Sequence, residues 1–99
     1  MSRTYYTDYV RHALRFYCRN YDITSFKTDV DKTNWLSCKS VLDTLPENQR
    51  DMLIQVYSGF DTLPDEVFNT SREYHIDQNI IWDLMKKVEN KIAHRRKLI

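Results

Sequence analysis

The chain has 99 residues, of which 41% are hydrophobic and 13% aromatic, and its formal net charge at pH 7 is +1. This length fits one domain, and the composition supplies enough apolar residues for a core, which excludes wholesale disorder. A single Gly and two Pro are too few for the tight turns of a sheet, so we expect an all-α fold with short polar loops. The scarcity of Gly also excludes a glycine-rich phosphate-binding loop.

Five helices in one domain, spanning residues 1–99, are predicted. The first runs from about Tyr5 to Arg19, because apolar residues recur there with helical spacing. The residues on this expected core face are Tyr6, Tyr9, Val10, Ala13, Leu14 and Tyr17. Beside them Arg11, Arg15 and Arg19 recur every four residues and form a separate basic stripe.

The other four helices are predicted from residues that cap helix N-termini. Thr28 is followed three residues later by Asp31, and Thr44 is followed by Pro46 and Glu47, an arrangement typical of a capping box. The predicted helices cover about residues 28–43, 44–58, 62–74 and 77–97, and their expected caps are Thr28, Thr44, Thr62 and Asp77.

The cysteines and the charged residues of the N-terminal segment indicate the cellular location of the protein. Cys18 and Cys38 form no CxxC pair and are interpreted as core thiols in a reducing compartment. The first 17 residues carry Arg3, Asp8, Arg11 and Arg15, so they lack the apolar segment of a signal peptide. No apolar run approaches the roughly 20 residues that cross a bilayer. We therefore expect a cytoplasmic protein that has no membrane partner.

The second half of the chain resembles the fourth conserved region of bacterial sigma factors, a helix-turn-helix that binds promoter DNA. The matching residues form two groups: Leu45-Pro46-Glu47 with Arg50, Met52, Leu53 and Tyr57, then Ile76, Ile81, Leu84 and Val88 before a basic tail. Small sigma-like proteins encoded on mobile elements of Gram-positive gut bacteria look similar over the whole chain. The resemblance implies a helix-turn-helix over approximately residues 44–98.

Three positions depart from the pattern of that family. Phe68 stands where the family usually has a small residue at the crossing of the two motif helices. His75 stands where it has Gly, which adopts positive φ without strain. Ile80 stands where it often has a polar residue that contacts a base, and the spacing from Val67 to Ile76 is longer than in the family.

The fifth helix is predicted to have two faces. The expected buried arc consists of Ile80, Ile81, Leu84, Met85, Val88 and Ile92. The opposite arc consists of Asn79, Trp82, Lys86, Asn90, Ala93 and Lys97. Amides and lysines on such an arc are suited to the major groove of DNA, but an ordinary solvated face has the same composition. A large aromatic on this arc, Trp82, indicates a contact with the first helix or with a partner.

Two functions are consistent with this pattern. In the first, the protein is a DNA-binding or transcription-associated module whose partner is double-stranded DNA. Gln78, Asn79, Trp82, Lys86 and Asn90 would face bases, Lys87, Arg95, Arg96 and Lys97 would hold phosphates, and Arg11, Arg15 and Arg19 would be secondary phosphate contacts.

In the second, the chain is a protein-interaction module or adaptor that binds RNA polymerase or another protein without contacting bases. Ile80 and Trp82 would then anchor the partner. The middle of the chain favours this alternative, because residues 28–73 hold nine acidic and four basic residues, and acidity repels phosphate.

No pattern indicates an enzyme, a metal site or a cofactor. Asp8 and His12 share one helix face, but a third ligand is not evident. The acidic residues at helix starts are explained by capping. We therefore expect no catalytic residues.

Overall fold

The structure is a computed structural model and describes residues 6–98 of the chain. Within this range it contains helices and no strand, as the composition predicted. The helices are α1 (Tyr6–Arg19), α2 (Asp29–Leu42), α3 (Glu47–Ser58), α4 (Leu63–Tyr74) and α5 (Gln78–Arg95). The predicted all-α class is confirmed, and the predicted helix starts and ends agree closely. Tyr5, where the first helix was expected to begin, lies outside the described residues.

The core is built around α1, which contacts α2, α3 and α5, while α4 packs on α3 and α5. Its largest fully buried side chains include Tyr57, Leu14, Leu42, Leu53, Ile81, Met85 and Ile92. The predicted apolar face of α1 is buried at Val10 and Leu14. Tyr9 is an exception, because it is 41% exposed and its hydroxyl pairs with Asn34 of α2.

Side-chain caps fix the starts of three helices. The Thr28 hydroxyl accepts from the amide of Asp31 at 3.0 Å, the Thr62 hydroxyl caps α4, and the Asp77 carboxylate caps α5. The predicted Thr44 cap is wrong. Its hydroxyl donates to the Val41 carbonyl at 2.6 Å and so satisfies the end of α2, while α3 begins after Pro46 without a side-chain cap.

A three-residue turn, residues 75–77, joins α4 to α5. His75 adopts the left-handed conformation (φ 55°, ψ 46°), and the Ile76 amide donates to the Ser71 carbonyl at 3.1 Å. This is the hydrogen bond of a Schellman motif, in which glycine is the usual left-handed residue. The chain thus makes with His75 a turn at which glycine is the usual residue.

The crossing of α4 and α5 also differs from the sequence-based interpretation. Phe68 lies outside the crossing, because it is 46% exposed. The α4 residue that lines the groove beside the start of α5 is Ser71, together with Gln78, Asn79 and Trp82 of α5. The α4 side chains that are buried in the core are Val67 and Thr70, and Phe68 is not among them.

Candidate nucleic-acid interface

The outer face of α5 is polar and basic. Its buried residues include Ile81, Met85, Val88 and Ile92, which hold the opposite side of the helix on the core. The exposed residues on the outer face are Asn79, Asp83, Lys86, Lys87, Asn90, Lys91 and His94, together with the apolar Ile80. The structure therefore brings together four of the predicted contact residues, Asn79, Lys86, Lys87 and Asn90. It adds Asp83, Lys91 and His94, which were not among the predicted contact residues.

The charge on this face is predominantly positive. Within α5, all of which is described, the exposed basic residues are Lys86, Lys87, Lys91 and Arg95, and the exposed carboxylate is Asp83. No ion pair or hydrogen bond from the side chains of these basic residues occurs within residues 6–98. Their ammonium and guanidinium groups are therefore available to an anionic partner.

Three assignments on the α5 helical wheel are wrong, those of Ile80, Ala93 and Trp82. Ile80, expected in the core, is 56% exposed, and Ala93, expected on the outer face, is buried. Glu89, a charged residue on the core side of the helix, is also buried. The sequence interpretation centred the buried arc on the apolar side chains. The helix is instead turned so that Glu89 and Ala93 face inward, which carries Ile80 outward.

Trp82 lies at the border of the core and not on the outer face. It is half-buried, and the guanidinium carbon of Arg11 lies 5.9 Å from its ring centroid. The intramolecular contact with α1, one of the two alternatives for this residue, is therefore present. Gln78 is exposed at the start of α5, apart from the lysines.

The basic residues at the end of α5 divide into two kinds. Arg95 and Lys97 are exposed. Arg96 is tied to the rest of the fold, because its Nε donates to Asn34 of α2 at 2.6 Å and its Nη2 lies 3.5 Å from the Tyr9 hydroxyl. The hydrogen bonds of Asn34 and Arg96 lower the pKa of Tyr9. Arg96 therefore secures the C-terminal end of α5 against α1 and α2.

The arginines of the α1 stripe form hydrogen bonds with other parts of the same chain. Arg15 donates to the carbonyls of Gly59 (2.7 Å) and Asp61 (3.0 Å), and Arg19 donates to those of Ser58 (3.2 Å) and Gly59 (2.6 Å). The last carbonyls of a helix lack intrahelical partners and carry partial negative charge, so guanidinium groups satisfy the end of α3.

The loop that these arginines hold presents an aromatic side chain. Phe60 is 89% exposed, and the Arg19 guanidinium lies 4.6 Å from its ring centroid. The neighbouring Asp61 amide donates to the Glu66 carboxylate at 3.1 Å. The loop between α3 and α4 is thus fixed from both sides by hydrogen bonds.

Arg11, the third member of the stripe, pairs with a buried carboxylate. Its Nε donates to Glu89 Oε2 at 2.9 Å, and the same oxygen accepts a 2.6 Å hydrogen bond from the buried Tyr57 hydroxyl. Burial and the adjacent Glu89 charge raise the pKa of Tyr57 well above its ordinary value. The sequence interpretation missed this cluster, although the position of Glu89, four residues after Met85 and three before Ile92, could have indicated a core-facing carboxylate.

Both cysteines are buried thiols. Burial raises the pKa of Cys38 to about 12, and burial together with the Cys38 thiol raises that of Cys18 further. Because both pKa values are raised, the folded protein keeps both thiols protonated at neutral pH. The thiolate is the reactive form, so neither sulfur is a nucleophile under these conditions. In residues 6–98 no group of three or more His, Cys, Asp or Glu is placed to hold a metal ion.

None of the helices in the described range is both long and apolar enough to cross a membrane. Comparison of the chain with family models, with curated proteins and with solved structures gives no match.

Proposed function

We propose that this protein is a DNA-binding, transcription-associated module in which α4 and α5 act as a helix-turn-helix. The observation that carries the proposal is the outer face of α5, where Lys86, Lys87 and Lys91 are exposed and have no ion-pair partner in the described range. The proposal carries with it a cytoplasmic location. The second helix of a helix-turn-helix enters the major groove of DNA, and the first helix crosses the DNA backbone.

The side chains on the outer face have the chemistry that duplex DNA requires. Asparagine amides can pair with the edge of adenine, and lysines can donate to guanine or to phosphate. Asn79 and Asn90 are the amide candidates, and Lys86 lies between them on the same side of the helix. Arg95 and Lys97 follow at the helix end, where phosphate contacts would fix the orientation of α5.

The proposal is tested by titrating a fluorescently labelled duplex of mixed sequence and following its anisotropy at low and at moderate salt. We expect micromolar binding that weakens steeply as salt rises, because displaced counterions are the main source of nonspecific affinity. Binding of that kind would justify selecting a specific site from a random pool. Absence of binding at low salt would end the proposal.

A second candidate is a protein-interaction module that binds RNA polymerase or another protein. Two exposed apolar side chains favour it, Phe68 on α4 and Ile80 on α5. Ile80 and Phe68 would be anchors in a partner's apolar pocket, which is the usual origin of interface energy. Binding of a protein partner that resists salt and is lost in Ile80→Ser would favour this candidate over DNA.

A further inference from the structure

Arg11 contacts α5 at two points. Its Nε donates to Glu89 at 2.9 Å, and its guanidinium carbon lies 5.9 Å from the Trp82 ring centroid. Trp82 and Glu89 are seven residues apart, which is about two helical turns and places them on the same side of α5. One side chain of α1 thus spans two turns of α5.

These contacts restrain the rotation of α5 about its own axis. Glu89 is buried, and its carboxylate is neutralised by Arg11 and hydrogen-bonded by Tyr57. A rotation of the helix would separate Glu89 from both partners and leave an unpaired charge in the interior, which is strongly unfavourable. The hydrophobic effect alone would restrain the rotation less, because it is non-directional.

The rotation of α5 decides which residues face outward. Ile80, Lys87 and Asn90 are exposed in the observed setting, whereas Ala93 is buried. We propose that Arg11 is a positioning residue that sets the rotation of α5 through Glu89 and Trp82, and that it does so without contacting nucleic acid. Only the expected change in DNA affinity rests on the proposed function; the role of Arg11 in setting the rotation does not.

The rotation is tested first without DNA, by acrylamide quenching of tryptophan fluorescence. The chain has two tryptophans, and Trp35 is buried, so quenching reports mainly on Trp82. The variant is Arg11→Met with Glu89→Gln, which removes both charges together and keeps an acceptor for Tyr57. The matched control is Arg19→Met, from the same stripe but bonded to the carbonyls of Ser58 and Gly59 at the end of α3.

We expect stronger quenching in the double variant and wild-type quenching in the control, with helix content preserved in both by circular dichroism. Wild-type quenching in a folded double variant would overturn the proposal. If the double variant does not fold, Glu89→Gln alone is the second variant, because it removes the charge that pairs with Arg11 and leaves the guanidinium beside Trp82 in place. Wild-type quenching in that variant would overturn the proposal equally.

The second arm measures affinity for duplex DNA as a function of salt. We expect the double variant to lose about fivefold or more in affinity, the effect of about one lost base contact, with the slope of log affinity against log salt unchanged. A slope reduced by about 0.9 would show that Arg11 neutralises a phosphate itself and would overturn the proposal. If the wild-type protein binds no DNA, the proposed function fails, and the quenching arm still decides the role of Arg11.

Discussion

Arg11 in α1 and Glu89 in α5 form a 2.9 Å ion pair across 78 positions of the sequence. The pair is shielded, with the carboxylate side chain 7% exposed and the guanidinium side chain 22% exposed. It joins the N-terminal half of the chain to the helix that carries the candidate interface. From the sequence, Arg11 was predicted to contact phosphate as part of a basic stripe. In the fold its Nε instead donates a hydrogen bond to a carboxylate of the same chain.

The Tyr57 hydroxyl is the other donor to that carboxylate, and its removal is a test of the cluster. We expect Tyr57→Phe to lower the free energy of unfolding by about 1–3 kcal/mol, because Glu89 loses a buried hydrogen bond while the ring remains. Urea denaturation measures the change. The control is Tyr21→Phe, which alters an exposed hydroxyl and should change stability little. Equal effects of the two substitutions would contradict the buried cluster.

The arginines at the end of α3 give a second prediction. Arg15→Met removes the hydrogen bonds to the Gly59 and Asp61 carbonyls, and we expect it to cost about 1–3 kcal/mol of stability. Hydrogen exchange should accelerate in the last turn of α3 and in the following loop. Arg95→Met is the control, because Arg95 is exposed and has no bonded partner in the described range. A loss of stability as large in the control would show that the effect is one of net charge.

The turn between α4 and α5 gives a third prediction. His75 holds a left-handed conformation that costs a residue with a Cβ roughly 1–2 kcal/mol. His75→Gly should therefore raise the free energy of unfolding by about 1 kcal/mol, and His75→Val should lower it, because a β-branched side chain tolerates positive φ poorly. Thermal unfolding followed by circular dichroism ranks the three proteins. A wild type more stable than the glycine variant would mean that the His75 side chain contributes more than the strain costs.

Several features of the fold could be predicted from the sequence because they are local. Apolar spacing located the helices, and the caps at Thr28, Thr62 and Asp77 follow from side chains that reach amides two or three residues away. The error at Thr44 has the same local origin. Its hydroxyl had two acceptable partners, the start of α3 and the end of α2, and it bonds to the end of α2.

The candidate interface could be predicted only in part, because the setting of α5 depends on contacts between distant residues. Nothing near Glu89 in the sequence shows that Arg11 will reach it, and without that pair a carboxylate is assigned to the surface. The predicted helical wheel therefore placed Ile80 in the core and Ala93 on the outer face, the reverse of what the structure shows. The same cause explains the placement of Arg15, Arg19 and Arg96, whose partners lie on other helices or on the loop between α3 and α4.

A fourth prediction concerns alkaline pH. Burial raises the pKa of Cys38 from an ordinary value of 9.0 to about 12, so the folded state keeps a proton that the unfolded chain releases. The stability from this group is complete below pH 9 and falls as pH rises toward 12, by up to about 1.4 kcal/mol for each pH unit. Urea titrations between about pH 8 and pH 10 measure the slope. Cys18→Ala with Cys38→Ala should be less stable at neutral pH but lose less on going to pH 10, and an equal loss would contradict the assignment.

The most direct test of the proposed interface is the salt dependence of duplex binding by Lys86→Gln with Lys87→Gln. Each lost phosphate contact should reduce the slope of log affinity against log salt by about 0.9. The control is Lys27→Gln with Lys32→Gln, which removes two exposed lysines that are not part of α5 and gives the same net charge. We predict a smaller slope and weaker binding for the α5 variant and near wild-type behaviour for the control. Equal slopes and affinities for both variants would show that α5 does not hold the DNA.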